Sequence, residues 1–336
     1  MHLPDKLTPT RIEELFNKID TLRKQLQSSV VGQEDVIEKL LIAFFAGGHI
    51  LLEGLPGIGK TSLAKAFASS IGLSHQRIQF TPDLLPSDII GTEILDIDPE
   101  TGKQYFRFIE GPLFTHILLA DEINRTPPRT QAALLEAMGE KTISRQGQHY
   151  VLNDPFFVIA TQNPIEQSGT FELPEAQRDR FMLFVKMTYP EAAEEELNII
   201  TGQFQPPGSL SPNVLTADDR RDINILLKTI HFDDLVAKYI VDIIRLTRSR
   251  NFSYGSIDSV FLRGASPRAG QAILSAAKAL AFLKYRFSLN FMDVNEVVVS
   301  CLEHRLLLTP EAFEASSFDL STVIGAVCER ARGRNR

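Results

Sequence analysis

The chain has 336 residues, 43% hydrophobic and 23% charged, which is room for a sizeable core in more than one domain. Its net charge of −7 disfavours a broad nonspecific nucleic-acid footprint, and no apolar run approaches the ~20 residues of a spanning helix. Asp5 and Lys6 stand where a secretory leader needs an apolar run, and the only two cysteines, Cys301 and Cys328, lack metal-ligand spacing, so a reducing cytoplasmic setting is expected.

Thr10 and Glu13 resemble a capping box, after which Ile12, Leu15, Phe16, Ile19, Leu22 and Leu26 stripe an amphipathic helix. Val30-Val31-Gly32-Gln33 reads as a turn, and Val36, Ile37, Leu40, Leu41, Phe44 and Phe45 mark a second helix. Val31 and Gly32 could line a base pocket; ordinary core packing explains them equally well.

His49-Ile50-Leu51-Leu52-Glu53 reads as a short buried strand, and Gly54 to Thr61 then spell GLPGIGKT, the phosphate-loop template G-x-x-x-x-G-K-[ST]. Glycines at 54, 57 and 59 let backbone N–H groups wrap phosphate oxygens that a Cβ would keep away. Pro56, Ile58 and Ser62 complete the candidate nucleotide contacts. Lys60 would reach the β/γ-phosphates, and the Thr61 hydroxyl would ligate Mg²⁺. The following helix carries Leu63, Ala64, Phe67, Ala68 and Ile71 at helical spacing, stops at Gly72, and aims its positive dipole end at the same anion. A glycine turn that happens to precede a lysine would share these letters, but not the strand–loop–helix setting.

Strand candidates at 77–80, 117–120, 156–160 and 181–185 alternate with helices, including one over 130–138. Continuous apolar strands of this kind predict a parallel sheet covered on both faces. Two stretches, 93–109 and 142–152, turn at Asp98-Pro99-Glu100-Thr101-Gly102 and Arg145-Gln146-Gly147-Gln148 and read as inserted β-hairpins. From Tyr189 the pattern becomes helical: 191–201, 216–229 (with Thr216 and Asp219 as a capping box), 233–250, 267–287 and 293–308, with a loop at Gln205-Pro206-Pro207-Gly208. Ala331 to Arg336 reads as a frayed tail.

His116 to Glu122 is an apolar strand ending in two acids, at the sheet edge where ligands sit. Asp121 would hold Mg²⁺ through water, and Glu122 could polarise the water that attacks the γ-phosphate. Alone, such a string is as often a solvated strand end; downstream of a phosphate loop it carries weight.

GLPGIGKT, LLADEINRTPPRTQAALLEAM, VIATQNP and LPEAQRDRF, in this order and extended by GASPRAGQA, resemble the MoxR family of AAA+ ATPases. The likeness runs from about Val31 into the C-terminal helices. It implies an α/β fold: an AAA+ P-loop core over 1–188 with a five-stranded parallel sheet, helices on both faces and β-hairpin inserts, then a small all-α lid over 189–336. The inserts would be the helix-2 insert, about 92–110, and the hairpin before sensor 1, about 142–152. Asn163 matches sensor 1, although Asn-Pro turns are common by themselves. Arg180 matches the arginine finger that reaches a neighbour's ATP, a role suited to a planar cation. Where Arg178 stands, family members more often carry an apolar residue. Arg268 matches sensor 2: Ser266 and Pro267 would be N-cap and N1, leaving a cation in a first helical turn, where it opposes the dipole. Asn124 and Arg125 would serve subunit contacts.

The resemblance further implies ATP and Mg²⁺ as ligands, a homo-oligomeric ring of commonly six subunits, a von Willebrand factor A domain partner, and maturation of a client protein by metal or cofactor insertion. A nucleic-acid motor is a second reading, with Lys103, Arg107 and Arg145 as its few hairpin cations; a nucleotide-gated switch with little turnover is a third, which Glu122 argues against.

Overall fold

The computed structural model describes residues 7–145, 148–164, 170–190, 192–204, 210–314 and 319–334. Helices α1 (Pro9–Ser29) and α2 (Glu34–Phe45) lead into strand β1 (Ile50–Glu53) and helix α3 (Lys60–Ser70). Strand β2 (His75–Gln79), helix α4 (Pro86–Ile90) and strands β3 (Gly91–Ile97) and β4 (Gln104–Glu110) follow. Next come β5 (Ile117–Asp121), a 3-10 turn (Ile123–Arg125), α5 (Pro128–Glu140), β6 (Thr142–Arg145), β7 (Gln148–Val151), β8 (Phe157–Gln162), α6 (Glu175–Arg178) and β9 (Leu183–Lys186). The remainder comprises α7 (Ala193–Ile200), α8 (Ala217–Thr229), α9 (Asp234–Thr247), β10 (Phe261–Arg263), α10 (Pro267–Leu283), α11 (Phe291–Leu302), β11 (Leu307–Leu308), α12 (Pro310–Glu314) and α13 (Leu320–Arg334).

The five-stranded sheet has the order β2-β5-β8-β1-β9 and is parallel throughout. Its strands alternate between two cores. Ile50, Leu52, Ile117, Leu119, Phe157 and Ile159 face one that holds α1, α2 and α3. Leu51, Leu118, Ala120, Val158 and Ala160 face the other, against α5. The first core continues without a break through α8 to α13.

The two hairpins are antiparallel pairs, β3 with β4 and β6 with β7. Phe108 of the first stacks on Tyr150 of the second, ring centroids 4.3 Å apart. Of the expected tip of the second hairpin, Gln146 and Gly147 lie outside the described residues, as do Glu191 and the loop at Pro206, Pro207 and Gly208.

Several expectations are corrected. The cap of α1 is Thr8, not Thr10: its side chain accepts from Arg11 N at 3.2 Å, and Pro9, which has no N–H to satisfy, takes N1. The C-terminal part is helical as expected, and one short antiparallel pair, β10 with β11, is added to its helices. Residues from Ala331 to Arg334 are helix rather than frayed tail, since Val323, Ile324, Val327, Cys328 and Ala331 bury one face of α13. Helix α10 ends at Leu283, short of Phe287, where Tyr285 turns to φ +58°. The box of Thr216 and Asp219 caps α8 as expected.

Candidate nucleotide site

Four strands deliver the site to one edge of the sheet. In register, Glu53 pairs with Gln162 and Gln79 with Asp121, so the last residues of β1, β8, β2 and β5 stand together. The phosphate loop leaves β1 and re-enters as α3. Gly57 and Gly59 adopt φ of +84° and +92°, the left-handed region that other residues avoid. A Cβ at Gly54 would come within 2.8 Å of Met187 O, so that glycine is required by close approach. Lys60 Nζ folds back on the loop, donating to Gly54 O, to Leu55 O at 3.2 Å and to Gln162 O at 3.3 Å. The loop and β8 thus share one ammonium.

Thr61 Oγ1 donates to Asp121 Oδ2 at 3.1 Å, and Asp121 also accepts from Thr161 Oγ1 at 2.6 Å and Arg77 Nη2 at 2.8 Å. Burial alone would raise the Asp121 pKa, but these three donors outweigh it and hold the carboxyl below its usual range. Paired hydroxyl and carboxylate oxygens at a phosphate loop are the hard donors a small divalent cation takes, with phosphate oxygens as its other ligands.

Glu122 sits at φ +56°, a left-handed position costing a non-glycine residue ~1 kcal/mol or more. Its N–H donates to Thr161 Oγ1 at 2.9 Å, which fixes that turn. Its carboxylate accepts from Gln79 Nε2 at 2.6 Å and pairs with Arg125 Nη1 at 3.2 Å. Arg77 and Gln79 were not foreseen; as residues two apart on β2 they share a face, but only the strand order reveals that this face meets the two acids.

Asn163, 5% exposed, stands one residue past β8, and its carbonyl accepts from Asn124 Nδ2 at 3.1 Å. It lines a 550 Å³ cavity with Glu53, Asn124, Gln162 and Arg178. Among the described residues the buried Arg178 Nε has no hydrogen-bond partner. Beside the loop lies a 380 Å³ cavity lined by Val31, Ile58, Ser62, Tyr189, Ile199 and Phe204 among others. Gly32 does not line it. A Cβ there would lie 3.0 Å from Pro190 Cβ and 2.8 Å from Glu195 Oε2, so the turn packs against the segment entering α7.

Arg180 and Arg268 are elsewhere. Both line a 270 Å³ cavity with Gly48, His49, Met138 and Lys141. His49 directly precedes β1, whereas the phosphate loop directly follows it, and β9 begins beside Ile50. The cavity therefore opens at the opposite edge of the sheet, about 13 Å away at ~3.3 Å per residue. Arg180 Nη1 donates to Leu135 O at 2.8 Å and lies over Gly139, where a Cβ would meet it at 1.8 Å. Arg268, 61% exposed along its side chain, is 3.8 Å from Asp179, which also accepts from Arg305 Nε at 2.7 Å. Ser266 makes no side-chain cap; its hydroxyl lies 3.4 Å from Asp179 instead. Arg178 and Arg180, two residues apart, thus point to different edges.

The chain matches the model of the ATPase family associated with various cellular activities over residues 49–183, and the AAA lid domain over 260–322. It is 41% identical to the uncharacterized protein YeaC of Bacillus subtilis, covering 89% of this chain and 90% of that one. It is 38% identical to the chaperone MoxR1 of Mycobacterium tuberculosis, over 90% of this chain and 80% of the relative. The solved structure of a presumed ATPase from Cytophaga hutchinsonii superposes with a TM-score of 0.79 at 36% identity, covering 95% of each chain. Loop, acidic strand end, sheet order and helical lid, together with relatives matched along most of their length, place this chain in the MoxR family of AAA+ ATPases.

Proposed function

We propose that this ATPase works as a ring, with six subunits the expected number, and that each nucleotide is bound by one subunit and triggered by the next. The observation that carries the reading is the position of Arg180 and Arg268 at the sheet edge opposite their own phosphate loop. Neither can serve its own nucleotide there, whereas both can serve the nucleotide of a subunit stacked against that edge. Arg268 is accordingly assigned to act on the neighbour, and Arg178, facing the cavity of Asn163, is left out of the finger role.

Within one subunit, Lys60 would neutralise the β/γ-phosphates, and Thr61 with Asp121 would hold Mg²⁺, which supplies charge compensation on the phosphate oxygens. Glu122 would orient and polarise the attacking water, Asn163 would hold that water or the γ-phosphate, and the apolar cavity at Val31 would take the base. The working unit then divides near Tyr189 into the nucleotide core and the lid.

The output, in this reading, is remodelling or maturation of a client polypeptide, in the manner of metal or cofactor insertion and with a von Willebrand factor A domain partner. The hairpin surfaces support a protein client over nucleic acid: Leu95, Ile97 and Phe106 are 54%, 58% and 69% exposed, and Arg107 is paired to Asp96 at 2.8 Å. A cytoplasmic location is supported by two buried free thiols, Cys301 and Cys328. Among the described residues no helix is long and apolar enough to cross a membrane.

The test is to mix Lys60→Ala subunits, deficient in binding, with Arg180→Ala subunits, deficient in triggering. Recovered ATPase activity is expected; none at any ratio would sink the shared site. Capture with a Glu122→Gln variant in ATP identifies the client.

A further inference from the structure

Helix α7 has an exposed apolar stripe. None of its residues is buried, yet Leu197 and Ile200, three apart and therefore on one face, are 58% and 80% exposed. Its first turn carries Glu194, Glu195 and Glu196 in succession. Such a face in a single subunit marks a contact surface.

A matching groove lies on the lid. Ala237, Ile240, Val241 and Ile244 of α9 face Pro267, Gly270 and Leu274 of α10 across a 500 Å³ apolar trough, and Val241 is 52% exposed. These positions fall at the i, i+3, i+4 and i+7 spacing that receives a helix laid lengthwise. Arg245 and Arg248 close one end of the trough. Both are exposed, and among the described residues neither is paired with a carboxylate; Arg248 Nε donates to Ala265 O at 2.6 Å. Gln271 lines this trough and also the cavity of Arg180 and Arg268, so the two features form one continuous face.

We propose that the α9/α10 trough of one subunit receives helix α7 of the next copy, with Leu197 and Ile200 in the apolar floor and the acidic first turn against Arg245 and Arg248. This rests on the ring reading above and deepens it. The subunit that offers Arg180 and Arg268 to a neighbour's nucleotide offers the trough beside them. The neighbour's α7 carries Ile199 and Ile200, which line its own base cavity. Docking therefore closes the side of that cavity and brings the two arginines to its phosphate end in one movement. The contact is heterologous, two different surfaces meeting head to tail, as a ring requires.

Two experiments test it. Leu197→Cys chains and Val241→Cys chains, mixed with ATP and a short bismaleimide, should give a cross-linked dimer that neither gives alone; the native Cys301 and Cys328 are 0% and 5% exposed and stay silent. Separately, Arg245→Glu with Arg248→Glu should weaken nucleotide-dependent assembly about tenfold by sedimentation, and Glu194→Arg in the same chain should restore part of it. Complementation between Lys60→Ala and Arg180→Ala subunits is run alongside. If complementation succeeds while the cross-link and the charge rescue both fail, the docking proposal is overturned and the shared site stands. If complementation also fails and assembly never responds to nucleotide, both fall together.

Discussion

The amide of Gln79 donates to the carboxylate of Glu122 at 2.6 Å, so the acid assigned to polarise water is tethered to a neighbouring strand, with Arg125 on its other side. A carboxylate held this way is less free to act as a base. Gln79→Ala is expected to raise basal ATP turnover severalfold with little change in KM, whereas Glu122→Gln should lower it ~10²-fold or more while leaving binding intact. Steady-state kinetics on the two variants check this; a Gln79→Ala enzyme slower than wild type would show the tether to be a positioning aid.

Lys60 bonds three carbonyls, two in its loop and one on β8. Lys60→Ala should therefore abolish measurable ATP binding and also loosen the loop. Titration with a fluorescent ATP analogue reads the first. Loss of nucleotide-dependent thermal stabilisation, ~2.7 kcal/mol at a ligand concentration 100 times Kd, reads it too, while a lower melting temperature without nucleotide reads the loosened loop.

Arg180→Ala should reduce turnover ~10³-fold or more, as expected for an arginine that meets transition-state charge. Arg178→Leu should behave differently. Arg178 faces the cavity of its own Asn163, so any defect it causes should stay within its own subunit. Mixing Arg178→Leu with Arg180→Ala subunits checks this: turnover should recover, because a loop with its own Arg178 then meets the intact Arg180 of an Arg178→Leu neighbour, whereas two arginines serving the same neighbour's site would give no recovery.

His49 supplies a pH dependence. Burial, with Lys141 adding to it, pushes its imidazole down to about 4, while Nδ1 accepts from Val158 N at 3.1 Å. In the unfolded chain the ring protonates near pH ~6.5. Between these values the unfolded state binds the extra proton, so this contribution is whole above ~6.5 and is lost as pH falls toward 4. Thermal melts across that range should show a steeper acid decline for wild type than for His49→Gln.

Much of this was legible in the sequence for a local reason. The phosphate loop and the strand ending Asp121-Glu122 are contiguous chemistry, so spacing alone exposes them. The hairpins were legible because turn residues separate alternating arms. The direction of Arg180 was not: it depends on a chain reversal between β8 and β9 that sends neighbouring side chains to opposite edges. Arg77 and Gln79 were hidden because their meaning lies in strand order. The Thr10 cap failed because a threonine two residues earlier, beside a proline, competes better. The tail was misread because its apolar spacing only matters once α9 and α11 are there to cover it.

The stacked rings of Phe108 and Tyr150 join two projections that return to the sheet by separate routes. One continues into β5 and Glu122, the other into β8 and Asn163. Under the proposed function, a pull at either tip would reach both sides of the assigned hydrolytic centre together, and mechanical load would then set the pace at which fuel is spent.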